Sequence, residues 1–141
     1  MRILDSNYYT LKGYKLRSDT IITEGMEDYL EMIYRHSIDK KEIKINELAS
    51  LLNVKPSSVS KMVNRLRELD LVNFEKYKRV SLTNKGLEIG AYLLYRHNVL
   101  KKFFKYINKE DYKLDQVEKI EHFIDCVSIK NIEKILKNSK V

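Results

Sequence analysis

Five carboxylate and imidazole side chains recur in this chain at helical spacing. Asp28 and Glu31 lie three residues apart in MEDYLE, and Glu118, Glu121 and His122 stand at i, i+3 and i+4 in VEKIEH. Such intervals put side chains on one face of a helix. Gathering carboxylates on one face is unfavourable, because like charges repel, and a divalent cation reverses the sign of that cost. A sixth donor, His97, falls between the two clusters in the sequence. Each residue alone has an ordinary explanation: helix-dipole acids for Asp28 and Glu31, a solvated face for Glu118 and Glu121, a core histidine for His97 and a surface one for His122. Jointly they offer hard oxygens and two imidazoles with no thiolate. That set suits Mn2+ or Fe2+, with Zn2+ and Co2+ as competitors, and selectivity must then come from geometry rather than from the affinity order.

The chain that positions them has 141 residues, 43% of them hydrophobic, with only four glycines and one proline. This suits one domain, or two small ones sharing a core, built from long helices. Lys and Arg number 27 against 20 Asp and Glu, a net +7 that favours a polyanionic partner. The single cysteine, Cys126, excludes an internal disulfide framework and agrees with a reducing cytoplasm; it reads as a core residue. No apolar run reaches the roughly 20 residues of a membrane span, and the first fifteen residues lack the apolar stretch of a signal peptide. The expectation is a cytoplasmic protein with no membrane partner and no organic small-molecule substrate.

Residues 1–22 read as an N-terminal arm, 23–90 as a winged helix-turn-helix domain and 91–141 as a helical domain that carries His97, Glu118, Glu121 and His122. Thr23 is expected to cap a helix with Glu24, Glu27 and Asp28 in its first turn, the favourable sign there. EIKI reads as a short strand, and Asn46 as the cap of a helix ending near Leu52. Asn53 sits where a left-handed turn residue is wanted, and Pro56 fits the first turn of the next helix, whose inner stripe is Val59, Met62, Val63 and Leu66. LVNFEKYKRVSLT alternates about a polar centre as a two-stranded wing. Thr83 caps a long helix to about Ile107 with Leu93, Leu94, His97, Leu100 and Phe104 on one side. A helix over 114–126 carries Ile120, Phe123, Ile124 and Val127 as its apolar stripe, and Ser128 caps a last short helix.

The helix after Pro56 has the features of one that enters a DNA major groove: an apolar inner face, with small polar and basic residues outward. The outward set is Lys55, Ser57, Ser58, Ser60, Lys61, Asn64 and Arg65, and the wing tip adds Lys76, Lys78 and Arg79. Between Val54 and Arg79 seven Lys/Arg stand against three Asp/Glu, a net +4 of the chain's +7, so the charge concentrates on the proposed reading surface.

MEDYLEMIYR, KPSSVSKMV, FEKYKRVSLTNKG, YRHNVLKKF and VEKIEH, in that order, resemble the diphtheria-toxin-repressor (DtxR) family, in particular its manganese-responsive, MntR-type branch. The resemblance covers about residues 24–136. It implies a mainly α fold: a winged helix-turn-helix joined by a long helix to an all-α dimerisation domain. It also implies a binuclear Mn2+ site at Asp28, Glu31, His97, Glu118, Glu121 and His122, a homodimer, and a repressor of metal-uptake genes that binds double-stranded operator DNA. The iron-responsive branch has Met in place of Asp28 and Cys in place of Glu118, and neither is present here. The chain departs from the family in its longer arm and in Phe123, where a second His is expected after His122. As in MntR-type members, no SH3-like domain is expected. Three other readings stay open: an iron- or zinc-responsive regulator of this fold, a winged-helix regulator with an organic or protein effector, and a two-metal hydrolase. No recognisable base and nucleophile pair accompanies the last, so the expectation is not an enzyme.

Overall fold

The computed structural model describes residues 22–75, 79–110 and 114–139. The expected arm, except Ile22, and the wing-tip residues Lys76 and Lys78 lie outside them. The chain forms two compact units that part between Leu93 and Leu94, inside one long helix.

In the first unit, helix α1 (Glu24–Ser37) begins at Thr23, whose Oγ1 accepts from Met26 N at 3.1 Å, with Glu24 and Glu27 in its first turn. Strand β1 (Ile43–Lys44) leads directly into α2 (Ile45–Leu52). Asn46 is therefore not the cap expected from the sequence: the extended backbone of Lys44 already occupies that position, and Asn46 lies in the first turn. Asn53 closes α2 at φ 56, ψ 48, a left-handed conformation that a short polar side chain tolerates. Pro56 opens α3 (Pro56–Glu68), where its missing N–H costs nothing. No side chain caps this helix; Ser58 N and Val59 N donate to Lys55 O. Val59, Val63 and Leu66 are fully buried, which fixes the inner face and leaves the outer one to solvent.

The wing strands β2 (Val72–Phe74) and β3 (Arg79–Leu82) pair antiparallel, Val72 opposite Leu82 and Phe74 opposite Val80. β1 joins the other edge of β3, so the sheet has three strands in the order β1-β3-β2. Thr83 then ties the sheet to helix α4 (Asn84–Asn108): its Oγ1 donates to Asp70 O at 2.7 Å and accepts from Gly86 N at 3.0 Å. A Cβ on Gly86 would fall 2.0 Å from the Leu71 carbonyl oxygen, so the close approach of helix and chain requires glycine there.

The second unit holds the rest of α4, helix α5 (Leu114–Ile120), a 3-10 turn (Glu121–Phe123) and helix α6 (Cys126–Asn138). Its core is Val99, Leu100, Val117, Ile129 and Leu136, flanked by Tyr95, Phe103 and Phe104. The single helix expected over 114–126 is broken. Ile124 turns extended (φ −101, ψ 126), and Asp125 rather than Ser128 caps α6, accepting from Ser128 N at 2.7 Å. An Asp cap needs non-helical backbone, so it ends the preceding turn. The last helix is accordingly 13 residues long, not short.

Candidate metal centre and nucleic-acid interface

Within the second unit, α4 presents His97 and the 3-10 turn presents Glu121. Both are almost wholly buried, at 4% and 2% exposure, and His97 Nδ1 lies 3.1 Å from Glu121 Oε1. An imidazole nitrogen and a carboxylate oxygen are thus held close enough to serve one cation together. A carboxylate buried this deeply is costly without a counter-charge. The donor chemistry therefore fits a hard divalent cation. His122, next on the turn, is half-buried, and its Nδ1 lies 3.5 Å from Arg96 Nη2. Glu118, one turn earlier on α5, is exposed. Because the helix ends at Ile120, Glu118, Glu121 and His122 do not share a continuous helix face as the spacing implied.

In the first unit, Asp28 is exposed on α1, whereas the Glu31 side chain is only 12% exposed and pairs with Arg35 four residues on. Arg35 gave no sequence signal of its own: an i, i+4 Glu–Arg pair is common on any helix. The structure thus brings His97 and Glu121 together, sets His122 beside Glu121 in the chain, and holds Asp28 and Glu31 on one helix. Cys126 is half-buried at the start of α6.

The proposed DNA-reading residues of α3 divide by exposure. Lys55, Ser57, Ser58, Lys61 and Arg65 are exposed, Ser60 is half-buried, and Asn64 turns its amide onto its own helix, donating to Ser60 O at 2.9 Å. Arg79 on β3 is exposed, 3.7 Å from Glu42. A cleft of about 490 Å3 lies beside these, lined by Lys44, Ile45, Asn46, Pro56, Ser57, Ser60 and Phe74. Lys44 and Asn46 reach this cleft from the strand–helix junction, a proximity that nothing in EIKIN marks.

Residues 22–80 match the family described as iron dependent repressor, N-terminal DNA binding domain, and residues 83–141 match its metal binding and dimerisation domain. The chain is 40% identical over 116 residues to the HTH-type transcriptional regulator MntR of Bacillus pumilus (strain SAFR-032), covering 82% of this chain and 81% of that one. Against MntR of Bacillus subtilis (strain 168) the identity is 39%, with 82% of each chain covered. Among solved structures, the manganese regulator SloR aligns with TM-score 0.68 and 29% identity over 79% of this chain and 53% of that one, so the present chain spans about half of SloR's length. The chain belongs to the iron-dependent, or diphtheria-toxin, repressor family of metal-dependent transcription regulators, as a relative of its MntR-type members. The expected winged helix-turn-helix, long helix and helical second domain are those of this family.

Proposed function

We propose that this protein is a Mn2+-activated repressor that binds operator DNA as a homodimer in the cytoplasm and controls metal-uptake genes. The observation that supports it most is the buried His97–Glu121 pair, 3.1 Å apart, in the segment that matches the family's metal-binding domain. Asp28 and Glu31 of α1, with Glu118 and His122, complete the proposed binuclear donor set. No thiolate or thioether belongs to it, which favours Mn2+ over softer metals, with Fe2+, Zn2+ and Co2+ as substitutes. A bound cation would supply the positive charge that lets these carboxylates share one site.

The donors come from helix α1 and from the second unit, so ligation would restrain the DNA-binding unit against the other. Exposed Phe123 and Val127, beside the proposed ligands in sequence, offer apolar area to a second copy. Restraint within a dimer would select a spacing of two α3 helices near one DNA turn. Operator DNA must then tighten metal binding by the same factor. Lys55, Ser57, Ser58, Ser60, Lys61, Asn64, Arg65 and Arg79 would face the DNA, and the expectation for Lys76 and Lys78 falls outside the described residues. We assign no catalytic residue and no enzyme activity.

Calorimetric titration of chelator-treated protein tests the site. The expected result is two Mn2+ per protomer, with tight binding lost in Glu118→Ala and His122→Ala while far-ultraviolet circular dichroism is unchanged. Unaltered titrations in both variants would reject the ligand assignment.

A further inference from the structure

We infer that Arg35 is a positioning residue of the metal centre, holding the Glu31 carboxylate in the orientation a cation needs and so raising metal affinity. The inference rests on the metal reading above. Asp28, Glu31 and Arg35 stand at i, i+3 and i+7 on helix α1. That spacing puts them in one row along the helix, so the row that carries Asp28 and Glu31 ends in a permanent cation. Arg35 Nη2 donates to Glu31 Oε2. A guanidinium is a rigid planar fork of donors, and a carboxylate accepts at both of its oxygens. One hydrogen bond to Oε2 therefore restrains the carboxylate without using up its capacity to bind.

A surface Glu–Arg pair at this spacing contributes little and needs no function. Here the two partners differ in exposure. The Glu31 side chain is only 12% exposed, whereas that of Arg35 is 40% exposed and lies in the last turn of α1, where the helix dipole favours a cation. Glu31 has a further interaction as well, so loss of Arg35 would leave the acid held less firmly and not without a partner.

A neighbouring cation has two opposed effects on ligation. Its charge repels the metal, and its hydrogen bond orients the ligand. The repulsion is long-range and is screened where water and salt reach the guanidinium. The hydrogen bond acts at contact distance, on a carboxylate that water scarcely reaches, and keeps its strength. Partners that orient a ligating carboxylate typically set metal affinity over about 10–100-fold. Orientation therefore outweighs repulsion. Arg35→Met keeps the apolar stem and removes the donor, and should weaken Mn2+ binding by roughly 10–100-fold. Arg35→Lys, a cation without the planar fork, should recover part of the loss.

The test uses the full chain in two measurements. In the first, competition with a fluorescent chelator gives the Mn2+ affinity of wild type, Arg35→Met and Arg35→Lys, with far-ultraviolet circular dichroism as the check on folding. The expected order is wild type, then Arg35→Lys, then Arg35→Met. Wild type that binds Mn2+ no more tightly than a folded Arg35→Met overturns the inference and leaves the metal reading standing. Absence of Mn2+ binding in wild type and variants alike removes the metal reading and this inference with it. The second measurement decides the matter if Arg35→Met does not fold. Low-temperature 1H–15N correlation reads the guanidinium groups of wild type, metal-free and loaded with diamagnetic Zn2+ to an occupancy read by the same competition. Separate, slowly exchanging Nη signals of Arg35 in both states are expected. Their collapse to one averaged signal on loading would show that the guanidinium lets Glu31 go when metal binds, and would overturn the inference.

Discussion

Replacing Glu121 with Gln should move stability and metal response in opposite directions. Glu121 is 2% exposed and meets His97 Nδ1 at 3.1 Å. Desolvating a carboxylate costs several kcal/mol, and a hydrogen bond to a charged acceptor returns about 1.5–3 kcal/mol. Glutamine has the same shape, and its amide oxygen still accepts from the imidazole, for about 0.5–1.5 kcal/mol, without the charge to desolvate. The metal-free variant should be more stable than the parent by roughly 1–2 kcal/mol, the difference between these terms. At about 2–4 °C per kcal/mol for a chain of this size, Tm rises by roughly 2–8 °C. The gain from metal should nearly vanish. At a Mn2+ concentration 100 times the parent's Kd, ligation stabilises by about 2.7 kcal/mol. If loss of the charged ligand weakens binding about a hundredfold, the same concentration contributes only about 0.4 kcal/mol. Thermal unfolding followed by circular dichroism, in chelator and in Mn2+, measures both terms. A lower metal-free Tm for Glu121→Gln would show the carboxylate to be a structural partner of His97. An undiminished Mn2+ shift would remove Glu121 from the ligands.

Other outcomes follow from different parts of the chain. Lys61→Ala should weaken DNA binding across sequences and reduce the slope of log K against log salt by about 1, as loss of one phosphate contact does; anisotropy at several salt concentrations gives the slope. Gly86→Ala should destabilise the first unit by more than about 3 kcal/mol, because the new Cβ meets a backbone carbonyl at 2.0 Å and not a movable side chain; urea unfolding reads the loss. Burial pushes the Tyr29 phenol above its ordinary range. Its ionisation is disfavoured in the folded chain, so stability is full below the unfolded phenol pKa of about 10 and falls above it. Tyr29→Phe should flatten that alkaline fall, as urea midpoints between neutral and alkaline pH will show.

The elements that local chemistry dictates were legible in the sequence. Thr23 before an acidic first turn, Asn53 at a left-handed turn, Pro56 at a helix start and Thr83 ahead of α4 each act through a neighbour a few residues away, and each sits as expected. The errors came where two residues compete for one role. Asn46 and Ser128 are both good caps, but the extended backbone of Lys44 and the carboxylate of Asp125 reached the position first. The second of these changed the candidate site: a helix through VEKIEH would present three donors on one face, whereas the observed 3-10 turn buries Glu121 and leaves Glu118 exposed. The contact of Arg96 with His122 joins residues 26 apart, and no periodicity announces it.

Metal ligation is expected to control DNA binding. The most direct test is fluorescence anisotropy of the protein's own promoter DNA with chelator-treated protein at fixed salt, titrated in turn with Mn2+, Fe2+ and Zn2+. Mn2+ should tighten binding at concentrations where Zn2+ does little. DNA binding equally tight with and without every metal would contradict it.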